Sequence, residues 1–227
     1  CLPVPQNHLG VWLPVAVLAG EDRRFLNHGG IDVLAVLRAA ATDAWACRRV
    51  SGASTITMQV ARLHEPRPRH LTGKLLEMLR ARQIERRCDK ATILADYLNR
   101  VPWGGQLRGA EAASRAWCNR AAADLDAAQA AALAALLPAP SRLPSHPLEW
   151  RVRRDRILRR LADEGRLDAE DLARALAAPL PTAPRPWPFL APHACDLALA
   201  QSSAAVVRLP LDLALQRRVE AAVGERP

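Results

Sequence analysis

Apolar residues recur three and four positions apart along most of this chain, with polar residues between them, which is the period of helices that bury one face. Proline suits a first helical turn, so a helix is predicted to start near Pro14 and run through Val15, Val17 and Leu18 towards Glu21. Asp32 can cap a second helix that carries Val33, Val36, Leu37 and Ala40 on one face. Glu21 then lies at a helix end, where a loop can expose it. Ser54 opens a third helical segment, and Pro66 and Pro68 break the chain after it. A long helix is predicted from about Leu71 to Arg87, with Leu75, Leu76, Leu79 and Ile84 on its buried side. On the same helix Lys74 and Glu77, three apart, share a face. Asp89 can cap the next helix, which turns Ile93, Leu94, Tyr97 and Leu98 inward. Further helices are expected at about 109–118, 126–137, 148–164 and 168–177, with no internal repeat.

The pattern changes after residue 178. Prolines at 179, 181, 184, 186, 188 and 192 suit neither a helix nor a central strand, so 179–192 reads as a linker. Beyond it, AAVVRLPLDLALQRRVEAAV has the form of a short strand followed by a helix with Asp212 near its start. Residues 193–227 are too few to form a core alone, so the chain is expected to end inside a second domain.

Composition agrees with a mainly α fold. Half of the 227 residues are hydrophobic, alanine and leucine dominate, and there are only 11 Gly, 2 Phe and 1 Tyr. The formal charge of +9 points to an anionic partner: nucleic acid, an acidic membrane or a phosphorylated substrate. No base-stacking aromatic motif or DNA-reading helix pattern accompanies that charge, so no nucleic acid is expected. Lys74 and Lys90 are the only lysines, so arginine supplies nearly all of the positive charge. Five cysteines, Cys1, Cys47, Cys88, Cys118 and Cys195, show neither CxxC spacing nor a metal-ligand pattern, and each reads as a small packed hydrophobe. The longest apolar run, Ala127 to Leu137, is too short to span a bilayer. If the protein belongs to a membrane, the expectation is that its anchor is not in this chain.

Two patches carry candidate chemistry. EDRRFLNHGG at Glu21 to Gly30 sets an acidic pair beside an aromatic ring and a histidine. GASTITMQVAR at Gly52 to Arg62 offers free helix-start amides, the hydroxyls of Ser54, Thr55 and Thr57, the carboxamide of Gln59 and a terminal cation, groups that suit phosphate or sugar oxygens. Together they suggest a phosphorylated sugar substrate.

Five motifs in order, EDRRFLNHGGID, SGASTITMQVARL, GKLLEMLRARQIE, KATILADYLNRVPWGG and RGAEAASRAW, resemble glycosyltransferase family 51, the peptidoglycan glycosyltransferases. The resemblance covers about residues 9–178, and the second and third motifs look most like the penicillin-binding protein 1C branch of the class A enzymes. It implies a lysozyme-like helical fold with a membrane-embedded jaw, polymerising lipid II at the periplasmic face of the bacterial inner membrane alongside other cell-wall synthesis proteins. It also implies that LPLDLALQRRVE begins a penicillin-binding transpeptidase domain. No Ser-x-x-Lys occurs in the chain, so that domain's acylation site is not in this sequence.

The resemblance assigns the residues provisional tasks. Glu21 would accept the proton of the acceptor hydroxyl, while Arg62, Arg69 and Lys74 would bind the departing diphosphate. Glu77, the family's second glutamate, has three open roles: ordering the cations, assisting the diphosphate, or helping to hold a divalent Mg or Mn ion. No cofactor is obligatory in this reading. Asp22, Phe25, His28, Ser54, Thr55, Thr57 and Gln59 complete the expected substrate site, with Phe25 and His28 read chiefly as shaping the loop and Ser54 also as a helix cap. Lys90, Tyr97 and Asn99 are read as structural. Gly73-Lys74 stands where most of the family has Arg-Lys, and Arg62 where many members have lysine, so the grip on diphosphate differs in detail. Two rival readings are a lytic transglycosylase or muramidase that cleaves finished glycan, and a basic wall-binding scaffold without turnover.

Overall fold

A computed structural model describes residues 8–38, 54–66, 71–105, 107–185, 194, 197–198, 200–201 and 211–224. The chain divides into two compact units, Cys1–Arg185 and Pro186–Pro227. In the first unit α1 is Trp12–Glu21, α2 covers 33–38, α3 is Ile56–His64, α4 is Leu71–Glu85 and α5 is Lys90–Arg100. Then come α6 (Ala110–Cys118), α7 (Ala127–Leu136), α8 (Pro147–Asp163) and α9 (Ala169–Ala177). Among the described residues the only β pairing is an isolated antiparallel bridge between Pro102 and Arg108. The chain is therefore mainly α.

The core is built around α7. Asp126 caps it in a reciprocal arrangement with Gln129, and every residue of the helix apart from Gln129 is buried. Its alanines keep the helix thin, which lets α1 and α8 both pack against it. Trp150 of α8 is fully buried and donates its indole N–H to the Ala132 carbonyl at 2.7 Å. Arg154, about one turn further along α8, is also fully buried and donates to the carbonyls of Leu176 and Ala178, which closes the end of α9. Against this centre α3 packs on α4 and α5, and these three helices carry most of the candidate chemistry.

Several expected faces are turned differently. On α4, Leu75, Leu76 and Leu79 are exposed, while Glu77 and Ala81 are buried and Ile84 is partly buried against the core. Apolar and polar residues surround this helix, and the Glu77–Ala81–Ile84 stripe is the one at i, i+4, i+7 that meets α3. On α2, Asp32 caps as expected through Ala35 N–H, but Val33 and Leu37 are exposed and Val36 is only partly buried; Ala40 lies outside the described residues. Ser54 is not the cap of α3. Thr55 holds that position, and its hydroxyl accepts from Met58 N–H.

The proline-rich stretch is irregular at 179–185, and 186–192 lie outside the described residues. In the second unit the helix α10, Leu213–Gly224, is capped by Asp212, which accepts from the amides of Ala214 and Leu215. The strand expected ahead of it falls outside the described residues.

Candidate active site

The loop after α1 is held by groups the sequence presented as candidate ligands. Asp22 is buried and its Oδ2 accepts from Ile56 N–H at 3.0 Å, so the carboxylate closes the open N-terminus of α3. The same carboxylate takes His28 Nε2–H at 3.0 Å, and His28 Nδ1 accepts from Gly30 N–H at 3.2 Å. This network fits a neutral imidazole with its proton on Nε2. Gly30 has φ +89°, and a Cβ there would stand 2.9 Å from the Ala81 backbone, so only glycine lets the loop lie against α4. Its carbonyl accepts the Thr55 hydroxyl at 2.7 Å.

A second network fastens the loop from below. Lys90 donates to the His28 carbonyl at 2.6 Å and to Glu85 Oε1 at 2.7 Å, and its ammonium lies 4.3 Å from the centre of the buried Phe25 ring. Thr57, wholly buried, donates to the same Glu85 oxygen at 2.6 Å. The side chains of Asp22, Phe25, His28, Thr55 and Thr57 are thus buried and engaged within the protein, and Asp22 and Thr55 also line the cavity that Glu21 faces. A hydroxyl-rich helix start reads the same in sequence whether its hydroxyls face a substrate or a carbonyl.

Glu21, the last residue of α1, has a different environment. It lines a cavity of about 780 Å³ together with Ser54, Arg24, Asp32 and Arg160. Its Oε2 accepts from Gln59 Nε2 at 2.8 Å, and the Gln59 carbonyl oxygen in turn accepts from the Tyr97 hydroxyl at 3.2 Å. Burial pushes the Glu21 carboxyl above its ordinary value; the Gln59 hydrogen bond and the charges of Arg153 and Arg62 counter that rise, and Asp22 adds to it. A carboxylate raised in this way is better matched to accepting a proton near neutral pH.

Ser54 links this cavity to a cluster of cations. Lys74 Nζ donates to Ser54 Oγ at 2.6 Å and to Glu77 Oε2 at 3.0 Å, and Arg62 Nη1 stands 4.0 Å from Glu77 Oε1. Lys74 and Arg62 keep more than a third of their side-chain surface exposed, whereas Glu77 is buried. Arg69 lies outside the described residues. Glu77 thus orders two cations that present themselves to solvent. Both of its partners are positive, and among the described residues no cluster of three or more His, Cys, Asp or Glu side chains could hold a metal ion.

Charges and polar groups that the motifs did not flag also converge here. Tyr97, read as core from its spacing, reaches Gln59; Arg153 of α8 adds positive charge near Glu21. Neither carries a sequence signal beyond ordinary helical periodicity, because the contacts join helices distant in the chain.

The sequence profile of the family described as Transglycosylase matches residues 2–162. This chain belongs to that transglycosylase family. It is 41% identical over 209 residues to penicillin-binding protein 1C of Escherichia coli (strain K12), an alignment that covers 90% of this chain and 27% of the relative. Penicillin-binding protein 1A of Aquifex aeolicus (strain VF5) is 40% identical over 168 residues, covering 73% of this chain and 23% of that protein. The biosynthetic peptidoglycan transglycosylase of Thiobacillus denitrificans (strain ATCC 25259 / T1) is 39% identical over 144 residues, covering 63% of this chain and 62% of that one. This transglycosylase chain therefore spans about a quarter of the length of the two penicillin-binding relatives.

Proposed function

We propose that this transglycosylase polymerises lipid II into β-1,4-linked glycan strands, as a peptidoglycan glycosyltransferase of cell-wall biosynthesis. The observation that carries the reading is the joining, through Ser54, of a cavity holding a partly buried glutamate to a partly exposed pair of cations. A lytic transglycosylase or muramidase also needs an acidic residue, but it has no leaving diphosphate for Lys74 and Arg62 to hold.

The reaction is a single displacement with inversion. Glu21 accepts the proton of the acceptor sugar's 4-hydroxyl, and that oxygen forms a bond to the anomeric carbon of the donor. The bond from this carbon to the diphosphate oxygen breaks, and its electron pair leaves on undecaprenyl diphosphate. Lys74 and Arg62 face the charge that grows on the diphosphate, so they stabilise the transition state more than the ground state. Glu77 keeps Lys74 in place, and Ser54 offers its hydroxyl proton to a donor oxygen while its own oxygen is held by Lys74. Arg69, next to this region in sequence, is a further cation for the diphosphate. No step requires a resident metal.

A lipid-linked substrate fits the exposed Leu26, Val33, Leu34 and Leu37 beside the site loop and Leu75, Leu76 and Leu79 on α4. They suit a catalytic unit that rests on the periplasmic face of the inner membrane, near other cell-wall synthesis proteins; no helix among the described residues is long and apolar enough to cross a bilayer. Residues 193–227 are read as the opening piece of a transpeptidase domain after a linker at 179–192. Incubation with lipid II should give glycan polymers and leave purified sacculi intact. Release of soluble fragments from sacculi without any polymer from lipid II would favour the lytic reading.

A further inference from the structure

One fully buried polar side chain has no task in the reaction above. Tyr97 of α5 is 0% exposed, yet its hydroxyl meets Gln59 Oε1 on α3, and the other end of that carboxamide meets Glu21 at the end of α1. The chain of two hydrogen bonds spans three helices. Its direction matters, because a carboxamide is a donor at nitrogen and an acceptor at oxygen, whereas a carboxylate only accepts. With the amine towards Glu21 every group is matched. Turned over, the carboxamide would set its carbonyl oxygen against the carboxylate, acceptor against acceptor, unless Glu21 carried a proton.

We infer that Tyr97 is a positioning residue for the base: by donating to Gln59 Oε1 it fixes the carboxamide with its amine on Glu21 Oε2, leaving Oε1 to take the proton. The inference rests on reading Glu21 as the base. Among the described residues no hydrogen bond engages Glu21 Oε1. Burial and the neighbouring Glu21 charge hold the phenol protonated well above its ordinary range, so the hydroxyl keeps the proton it must donate. The charges facing Glu21 are Asp22 beside it, Arg62 from α3 and Arg153 from α8, and the Tyr97 ring faces it from α5. None of these can orient the carboxamide as Tyr97 does, since none is its hydrogen-bond partner.

Loss of the Tyr97 hydroxyl leaves the Gln59 carbonyl without its partner and frees the amide to turn. The turned form is stable only with Glu21 protonated, so the base holds its proton to higher pH. The acid limb of the rate profile should then move up.

The test measures kcat and KM for lipid II polymerisation against pH in Tyr97→Phe, Gln59→Leu and the double variant, with thermal melting to confirm the fold. Tyr97→Phe should keep KM within about twofold, lower kcat about three- to tenfold at neutral pH, and move the acid limb up by about half to one unit, as expected for one oriented hydrogen bond. Gln59→Leu should move the limb at least as far. The double variant should move it no further than Gln59→Leu alone, because Tyr97 acts through Gln59. An unmoved limb in Tyr97→Phe, or effects that add in the double variant, overturns the inference. Glu21→Gln separates the two levels: if it still polymerises, the base assignment is lost; if it is inactive while Tyr97→Phe keeps the original limb, only the positioning role is lost.

Discussion

Lys90→Met should unfasten the site loop from the helices beneath it, at a cost that can be worked from three contacts. Lys90 is bonded to Glu85 at 2.7 Å and to the His28 carbonyl at 2.6 Å, and it stands 4.3 Å from the Phe25 ring centre. The Glu85 side chain is 9% exposed and that of Lys90 24%. Removing one partner of a fully buried ion pair costs about 3–5 kcal/mol, chiefly because a charge is left unpaired. The partial exposure of Lys90 lowers that figure, and the lost cation–π contact restores about 0.5–1 kcal/mol. Methionine keeps most of the apolar stem, so packing changes little. The net destabilisation should be about 3 kcal/mol, or a melting point lower by about 6–12 °C for a unit of this size. Tryptophan fluorescence during thermal and urea unfolding reads it, since Trp103, Trp117 and Trp150 are all buried in the same unit. Adding Glu85→Gln to Lys90→Met should recover about 1 kcal/mol or more, because no unpaired carboxylate then stays buried. A drop below about 2 °C, or a double variant as unstable as the sum of the two single ones, would refute the network.

Glu21→Gln should stabilise the fold at neutral pH. Burial raises the folded-state value of this carboxyl above the ordinary 4.5, so the stability of the protonated form is present below that value and lost as pH rises through the folded one. Glutamine carries no such charge and can still accept from Gln59, so urea midpoints of variant and parent should part above about pH 5 and meet in acid; equal midpoints at pH 8 would contradict the burial argument. Gly30→Ala combines a positive φ with a Cβ 2.9 Å from the Ala81 backbone and should cost about 2–4 kcal/mol in urea unfolding, with polymerisation reduced as the loop lifts from α4. Lys74→Met should lower kcat about a hundredfold or more with the fold intact, whereas EDTA should change the rate by less than about twofold. A rate abolished by EDTA and restored by Mg or Mn would show that the reaction needs a divalent ion.

Much of the helical frame was legible because its signals are local. Asp32 and Asp89 cap the helices they precede, and Ile93, Tyr97 and Leu98 are buried as their spacing implies. The face of α4 was not legible, since leucines and polar residues flank the helix on every side and only the approach of α3 selects Glu77, Ala81 and Ile84 for burial. Glu21, Gln59, Lys74 and Glu77 could be named from their motifs, and the Lys74–Glu77 pair from its spacing, but their partners elsewhere in the chain could not. Gln59 joins Glu21 across 38 positions and Lys74 joins Ser54 across 20, and no local pattern records such a pairing. Thr55 and Thr57 show the converse, because a hydroxyl at a helix start gives no sign in sequence of turning inward to Gly30 or Glu85. Buried polar groups of this kind become readable only once the acceptors they must satisfy are in view.

In the proposed reaction Glu21 and the cations divide the labour between acceptor and donor. The most direct test of that division is a lipid II polymerisation time course with the parent chain and Glu21→Gln, each first shown to be folded and to bind the substrate. Glu21→Gln should bind lipid II as tightly as the parent, or more so, and form glycan at least about a hundredfold more slowly. Polymer formed by Glu21→Gln at the parent rate would contradict that division.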